Sequence, residues 1–152
     1  MIKVVIFDWG RTLFNSETKQ EFLESEDILK FCKSHGLRLA LISLVSANAN
    51  ATLEERNAQI ESSPLRAYFE IIRTTDTDKD ALCVEVVKYF GVAPFELAII
   101  DDRTIRGIAW GNRYGCTTVW LRKGRFSEEL PSEATGQPTY TITDLLELKK
   151  IL

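Results

Sequence analysis

The stretch VVIFDWGRTLF, residues 4–14, decides how the rest of the chain is read. IKVVIF, residues 2–7, has the length and aliphatic content of a strand buried on both faces, its apolar run continuous from Val4 to Phe7. The run ends in a lone carboxylate, Asp8, and then turns through Trp9, Gly10, Arg11 and Thr12. Open parallel sheets place their ligand sites at the carboxyl ends of strands, so Asp8 is a candidate for chemistry there. Capping a turn is the plainer use of such an aspartate. Thr12 behind it favours the site.

Further strands are predicted for LRLALIS (37–43), FEIIR (69–73), ELAIID (96–101) and TTVWL (117–121), with YTI (140–142) as a sixth at an edge. Helical segments separate them. SEDILKFCKSHG (25–36) sets Ile28, Phe31 and Cys32 on one face and closes with His35 and Gly36, a basic last turn followed by glycine. Thr52 and Glu55 in TLEERNAQI (52–60) have the spacing of a capping box. TDKDALCVEVVKYFG (77–91) carries a stripe of Leu82, Val86, Val87 and Phe90; TIRGIAWGNRYG (104–115) and DLLELKKIL (144–152) complete the set, and SEELPSEATGQP (127–138) reads as a surface connection. Alternating strands and helices imply right-handed crossovers and a mainly parallel sheet. The expected fold is α/β, a three-layer Rossmann-like domain with a mainly parallel five- or six-stranded sheet, as a single domain over residues 1–152.

Composition narrows the class. The chain of 152 residues can bury a core unaided, and 45% apolar with 27% charged residues is ordinary for a soluble protein. No apolar run reaches membrane-span length and no leader precedes the first strand, so a cytoplasmic protein without membrane contact is expected. Three dispersed cysteines, Cys32, Cys83 and Cys116, encode neither disulfides nor a zinc site. A net charge of −3 speaks against general nucleic-acid binding. The single histidine, His35, falls at a helix end, which excludes a histidine-based triad.

Three of the predicted strands end in polar residues: Asp8, Ser43, and the pair Asp101 and Asp102. Lys79 stands at the head of the helix before the strand that carries that pair. An aspartate can attack phosphorus or carbon, a serine and a lysine can hold phosphoryl oxygens, and a second acidic cluster can hold magnesium. Taken singly, Ser43 is a common turn residue, Lys79 a common first-turn lysine and the Asp pair a common acidic helix start.

Their order and spacing resemble the haloacid dehalogenase (HAD) superfamily over essentially the whole chain. VVIFDWGRTL is similar to the first motif, an apolar run and then D-x-D-G-T-L; LRLALIS, ending in Ser43, is similar to the second; Lys79 to the third; LAIIDDRTIRGI (97–108) to the fourth. The resemblance implies Asp8 as nucleophile, Ser43 and Lys79 on the phosphoryl oxygens, Thr12 near the phosphate, and Mg2+ held by Asp8, the Gly10 carbonyl and Asp102, with Asp101 placed to share that duty. Arg11 sits where the family has glycine, placed either to reach the substrate or to form a salt bridge.

Two parts of the family pattern are missing. The second aspartate of the first motif, the acid/base of the family's phosphatases, is Gly10 here. Such a group contributes roughly a hundred- to ten-thousand-fold, so poor leaving groups should suffer most from its loss. A further aspartate of the fourth motif is Gly107, beside Arg106. Some relatives that resemble sugar-phosphate phosphatases also carry glycine at the place of Gly10 and still use the first aspartate. The gaps between Asp8 and Ser43, and between Ser43 and Lys79, leave no room for a cap, as in capless magnesium-dependent phosphatases. The expected function is a phosphatase using an aspartyl-phosphate on Asp8, slowed or specialised. Its substrate would be a macromolecule or carry a good leaving group, and oligomerisation is left open. The alternative is a catalytically silent domain that binds a phosphorylated ligand or protein partner. Carbon–halogen hydrolysis ranks last, since those relatives need a cap.

Overall fold

A computed structural model describes residues 1–49 and 51–152. Its main sheet is parallel throughout and six strands wide: β1 (Val4–Phe7), β4 (Arg38–Leu44), β5 (Ile71–Thr75), β6 (Leu97–Asp101), β7 (Thr117–Leu121) and β8 (Tyr140–Ile142), in the order β5-β4-β1-β6-β7-β8. β1 is central because it is apolar on both faces. Val5 and Phe7 enter one core layer with Ile28, Leu29 and Leu41, while Val4 and Ile6 enter the other with Val86, Ile99 and Trp110. The chain order reverses at β1, which runs between β4 and β6. Asp8 therefore emerges at the switch point.

Helices α1 (Ser25–Ser34), α2 (Leu53–Ser62), α3 (Asp80–Phe90) and α4 (Ala109–Tyr114) make the crossovers. The Thr52–Glu55 capping box forms in full at the start of α2. A two-stranded flap, β2 (Phe14–Asn15) against β3 (Gln20–Glu21), and α1 fill the interval between Asp8 and Ser43. Among the described residues between Ser43 and Lys79, the elements are α2, a short 3-10 helix over Pro64–Tyr68 and β5. The fold is α/β, Rossmann-like and without a cap.

Three local expectations change. The third strand starts at Ile71 rather than Phe69, because the 3-10 helix ending at Tyr68 consumes the preceding residues. The segment 104–115 is not one α-helix. It opens with a wide π-type turn over Thr104–Ile108, in which Arg106 leaves helical geometry at φ −113° and ψ −106°, before α4 begins. The last segment is a 3-10 helix, Leu145–Lys150, capped by Asp144. Trp9, Trp110 and Trp120 are all core residues, and the three cysteines are buried and unpaired. No helix among the described residues is long and apolar enough to cross a membrane.

Candidate active site

The turn after β1 is tied to one carbonyl. Trp9 O accepts from the amides of Thr12, Leu13 and Phe14, and the Trp9 ring stacks on Phe14 at 5.1 Å. This winding brings the Thr12 hydroxyl back to donate to Asp8 Oδ2 at 3.0 Å. It also sets Arg11 at φ 62°. That left-handed conformation costs a non-glycine residue roughly 1 kcal/mol or more. The side chain so placed forms the salt bridge expected of it, with Glu17 at 3.3 Å, and also lines the cavity over Asp8.

Lys79, the residue before α3, is 5% exposed and lies between two carboxylates. Its Nζ donates to Asp8 Oδ1 at 2.7 Å and to Asp101 Oδ2 at 3.0 Å. Burial alone would depress the lysine, but Asp101 and Asp8 outweigh it and hold the ammonium protonated above its usual range. Burial pushes the Asp8 carboxyl up. The charge and hydrogen bond of Lys79, the charge of Arg56 and the Thr12 hydroxyl reverse this and leave Asp8 ionised below the ordinary carboxylate range.

The end of β6 separates the two neighbouring aspartates by strand alternation. Asp101 points toward Lys79 and is further held by the amides of Arg103 (2.9 Å, to Oδ1) and Gly107 (3.0 Å, to Oδ2). The wide turn delivers that second amide. A Cβ on Gly107 would stand 2.6 Å from Asp101 Oδ2 and 3.0 Å from Ile99, so the family's further aspartate has no room here. Asp102 faces the cavity, its backbone carbonyl fixed by the Trp120 indole N–H at 3.0 Å. Asp102 Oδ2 is buried without a donor among the described residues. Burial and the nearby charges of Asp8 and Asp101 raise its pKa well above the usual value.

Asp8, Asp101 and Asp102 each offer an oxygen within 4.8 Å of the others. A buried carboxylate oxygen without a donor calls for a cation, and hard oxygen donors suit magnesium. The residues present fit that ion.

Ser43 is fully buried at the end of β4, and its Oγ accepts from Arg56 Nη1 at 2.6 Å. Arg56, on α2, is the residue that sequence reasoning missed. It is 7% exposed, its Nε has no partner among the described residues, and it lines the same cavity as Asp8. Burial lowers its pKa, Asp8 opposes that, and the charges of Arg11 and Arg106 lower it further. A Cβ on Gly10 would be 3.4 Å from Arg56 Nη2. A guanidinium thus borders the space where relatives carry their acid. The available signal was its phase: Arg56 falls four residues before Ile60, the other buried side chain of α2.

The cavity has a volume of about 260 Å³. Asp8, Gly10, Arg11 and Asp102 line it, while the buried Thr12, Ser43, Lys79 and Asp101 support it from behind. Arg103 pairs with Glu129 at 2.9 Å, as an ordinary salt bridge would, yet also reaches the cavity wall.

A switch-point carboxylate held by a buried lysine, with a second acidic strand end beside it, defines a hydrolase fold of the HAD superfamily. Within it, the chain belongs to the family described as mitochondrial PGP phosphatase, whose profile matches residues 1–125. No curated protein matches significantly. Among solved structures, a HAD phosphatase from Thermococcus onnurineus superposes with TM-score 0.77 at 14% identity, covering 99% of this chain and 97% of that one. The HAD-hydrolase YfnB from Bacillus subtilis, crystallised with magnesium, gives TM-score 0.77 at 12% identity, covering 99% and 98%. A 2-haloacid dehalogenase from Pseudomonas syringae gives 0.71 at 14%, also covering 99% and 98%. At such identities these likenesses show the fold alone.

Proposed function

We propose that the chain is a magnesium-dependent phosphatase that works through an aspartyl-phosphate on Asp8. The observation that carries this reading is the Asp8–Lys79–Asp101 arrangement, which keeps a buried carboxylate ionised and fixed in rotamer. With Lys79 on Oδ1 and Thr12 on Oδ2, Asp8 cannot swing away from the cavity. One of its oxygens attacks phosphorus while the bond to the leaving oxygen breaks. Arg11 and Arg56, which line the cavity, hold the phosphoryl oxygens; Ser43 fixes the Arg56 guanidinium through its hydrogen bond, and Lys79 behind Asp8 adds a positive charge as negative charge shifts. Asp8, Asp102 and the Gly10 carbonyl would hold magnesium, which when bound supplies positive charge beside the phosphoryl group. Asp101 lends its charge to the cluster and spends its hydrogen bonds orienting Lys79. Water then cleaves the phosphorus–Asp8 bond and releases phosphate. The substrate is a phosphorylated molecule with a good leaving group, or a macromolecule that the capless mouth admits.

Magnesium-dependent hydrolysis of p-nitrophenyl phosphate beside glycerol 3-phosphate tests this. The aryl ester should turn over at least roughly a hundredfold faster, because no positioned acid serves the alkoxide, and Asp8→Asn should abolish both activities. Equal rates for the native chain and Asp8→Asn would instead favour a silent domain that binds phosphorylated ligands, the reading suggested by Gly10.

A further inference from the structure

Two features of the cavity exceed what a single phosphoryl group needs. The first is charge: Arg11, Arg56, Arg103, Arg106 and Arg125 line it against the carboxylates of Asp8 and Asp102, in a chain of net charge −3. Three of these guanidinium groups surround the Phe126 ring, with Arg103 at 3.7 Å, Arg125 at 5.3 Å and Arg11 at 5.6 Å from its centroid. Arg11 has Glu17 and Arg103 has Glu129, but Arg106 and Arg125 have no carboxylate partner among the described residues. Crowded like charges repel, and an anion between them relieves the repulsion. The second feature is the leaving-group side. Gly10 offers no acid, and the bordering Arg56 holds anions without giving up its proton.

We infer that the preferred substrate is a phosphoanhydride, an inorganic or organic diphosphate whose leaving group is itself a phosphate. This rests on the phosphatase reading above and deepens it. An Asp8 oxygen bonds to the terminal phosphorus, the bond from that phosphorus to the bridging oxygen breaks, and the electron pair stays on the bridging oxygen. The departing phosphate leaves as an anion among the arginines, so no proton has to be delivered to it. In the second half, a water oxygen bonds to the same phosphorus and the electron pair of the phosphorus–Asp8 bond returns to Asp8. One water proton stays on the released phosphate and the other passes to a phosphate oxygen. One diphosphate and one water give two phosphates. A diphosphate answers both features at once, whereas an aryl ester answers only the second.

The test uses the full chain with magnesium and four substrates: pyrophosphate, adenosine diphosphate, p-nitrophenyl phosphate and glycerol 3-phosphate. At least one diphosphate should exceed the aryl ester in kcat/KM by about tenfold and glycerol 3-phosphate by about a thousandfold. Which diphosphate leads separates an inorganic from an organic substrate. Joint replacement Arg106→Gln and Arg125→Gln should lower diphosphate kcat/KM at least about tenfold more than aryl kcat/KM. Without magnesium, calorimetry should show methylenediphosphonate binding the native chain about tenfold tighter than orthophosphate, an advantage lost in the double variant. Asp8-dependent aryl turnover with diphosphates no better than glycerol 3-phosphate overturns this inference and leaves the phosphatase standing. No turnover of any of the four overturns both.

Discussion

Lys79→Met is expected to destabilise the chain by about 3–5 kcal/mol and to lower turnover by roughly a thousandfold. Methionine fills similar space but leaves Asp8 and Asp101 buried without their shared ammonium. Removing one member of a buried ion cluster strands the remaining charges, which costs far more than the net worth of the pair. Asp101 retains the amides of Arg103 and Gly107, while Asp8 keeps only Thr12 and the nearby charge of Arg56. The nucleophile therefore suffers most: its carboxyl, no longer held down by Lys79, is protonated over more of the pH range and attacks less. Denaturant unfolding with aryl phosphate kinetics checks both effects. Adding Asp101→Asn should recover part of the lost stability by removing one stranded charge, whereas activity stays low. A Lys79→Met protein within 1 kcal/mol of native stability would contradict the account of the buried cluster.

Asp102→Asn should raise stability without metal by about 1–3 kcal/mol at pH 8 and abolish the response to magnesium. Asp102 carries an unpartnered buried oxygen, and burial together with Asp8 and Asp101 raises its pKa. The sign follows from linkage. A carboxyl whose folded pKa lies above its unfolded value of about 4 contributes stability that is fully present below pH 4 and is lost as pH rises through the folded value. The metal-free native chain should thus lose stability across that window. Asp8, with its folded pKa lowered, contributes stability present above pH 4 and lost as pH falls through its folded value. Magnesium should restore the stability that Asp102 costs, more strongly as pH rises, since binding displaces its proton. Thermal unfolding from pH 5 to 9 with and without magnesium is the measurement. A native profile independent of magnesium at every pH would contradict the assignment of Asp102 to the ion.

The parallel α/β arrangement, with YTI at an edge and Asp8, Ser43 and the Asp pair at strand ends, was legible because each follows from an apolar run of strand length ending in or next to a polar residue, whereas the order of the strands comes only from the fold. Strand alternation also separates Asp101 from Asp102, but only the fold shows which of them meets Lys79. Arg56 was hidden for a different reason. Its side chain crosses from α2 to Ser43 and Gly10, a contact made by a long flexible chain rather than by local sequence. The capping box announced the start of α2 without announcing that its inward face carries a charge. The wide turn at Thr104–Ile108 was equally invisible, since TIRGIAWGNRYG has helical composition and only the demand of Asp101 for two backbone amides favours widening it. Gly107 reads as a lost carboxylate in sequence and as a close backbone approach in the structure.

Turnover through Asp8 requires that its carboxylate become phosphorylated. The most direct test is to quench the native chain in acid during turnover of p-nitrophenyl phosphate, reduce it with borohydride, and map the product by mass spectrometry. An acyl phosphate is reduced to an alcohol, so the account predicts homoserine at position 8 in the native chain and none in Asp8→Asn. Phosphate release with Asp8 unmodified, or with the label on another residue, would contradict it.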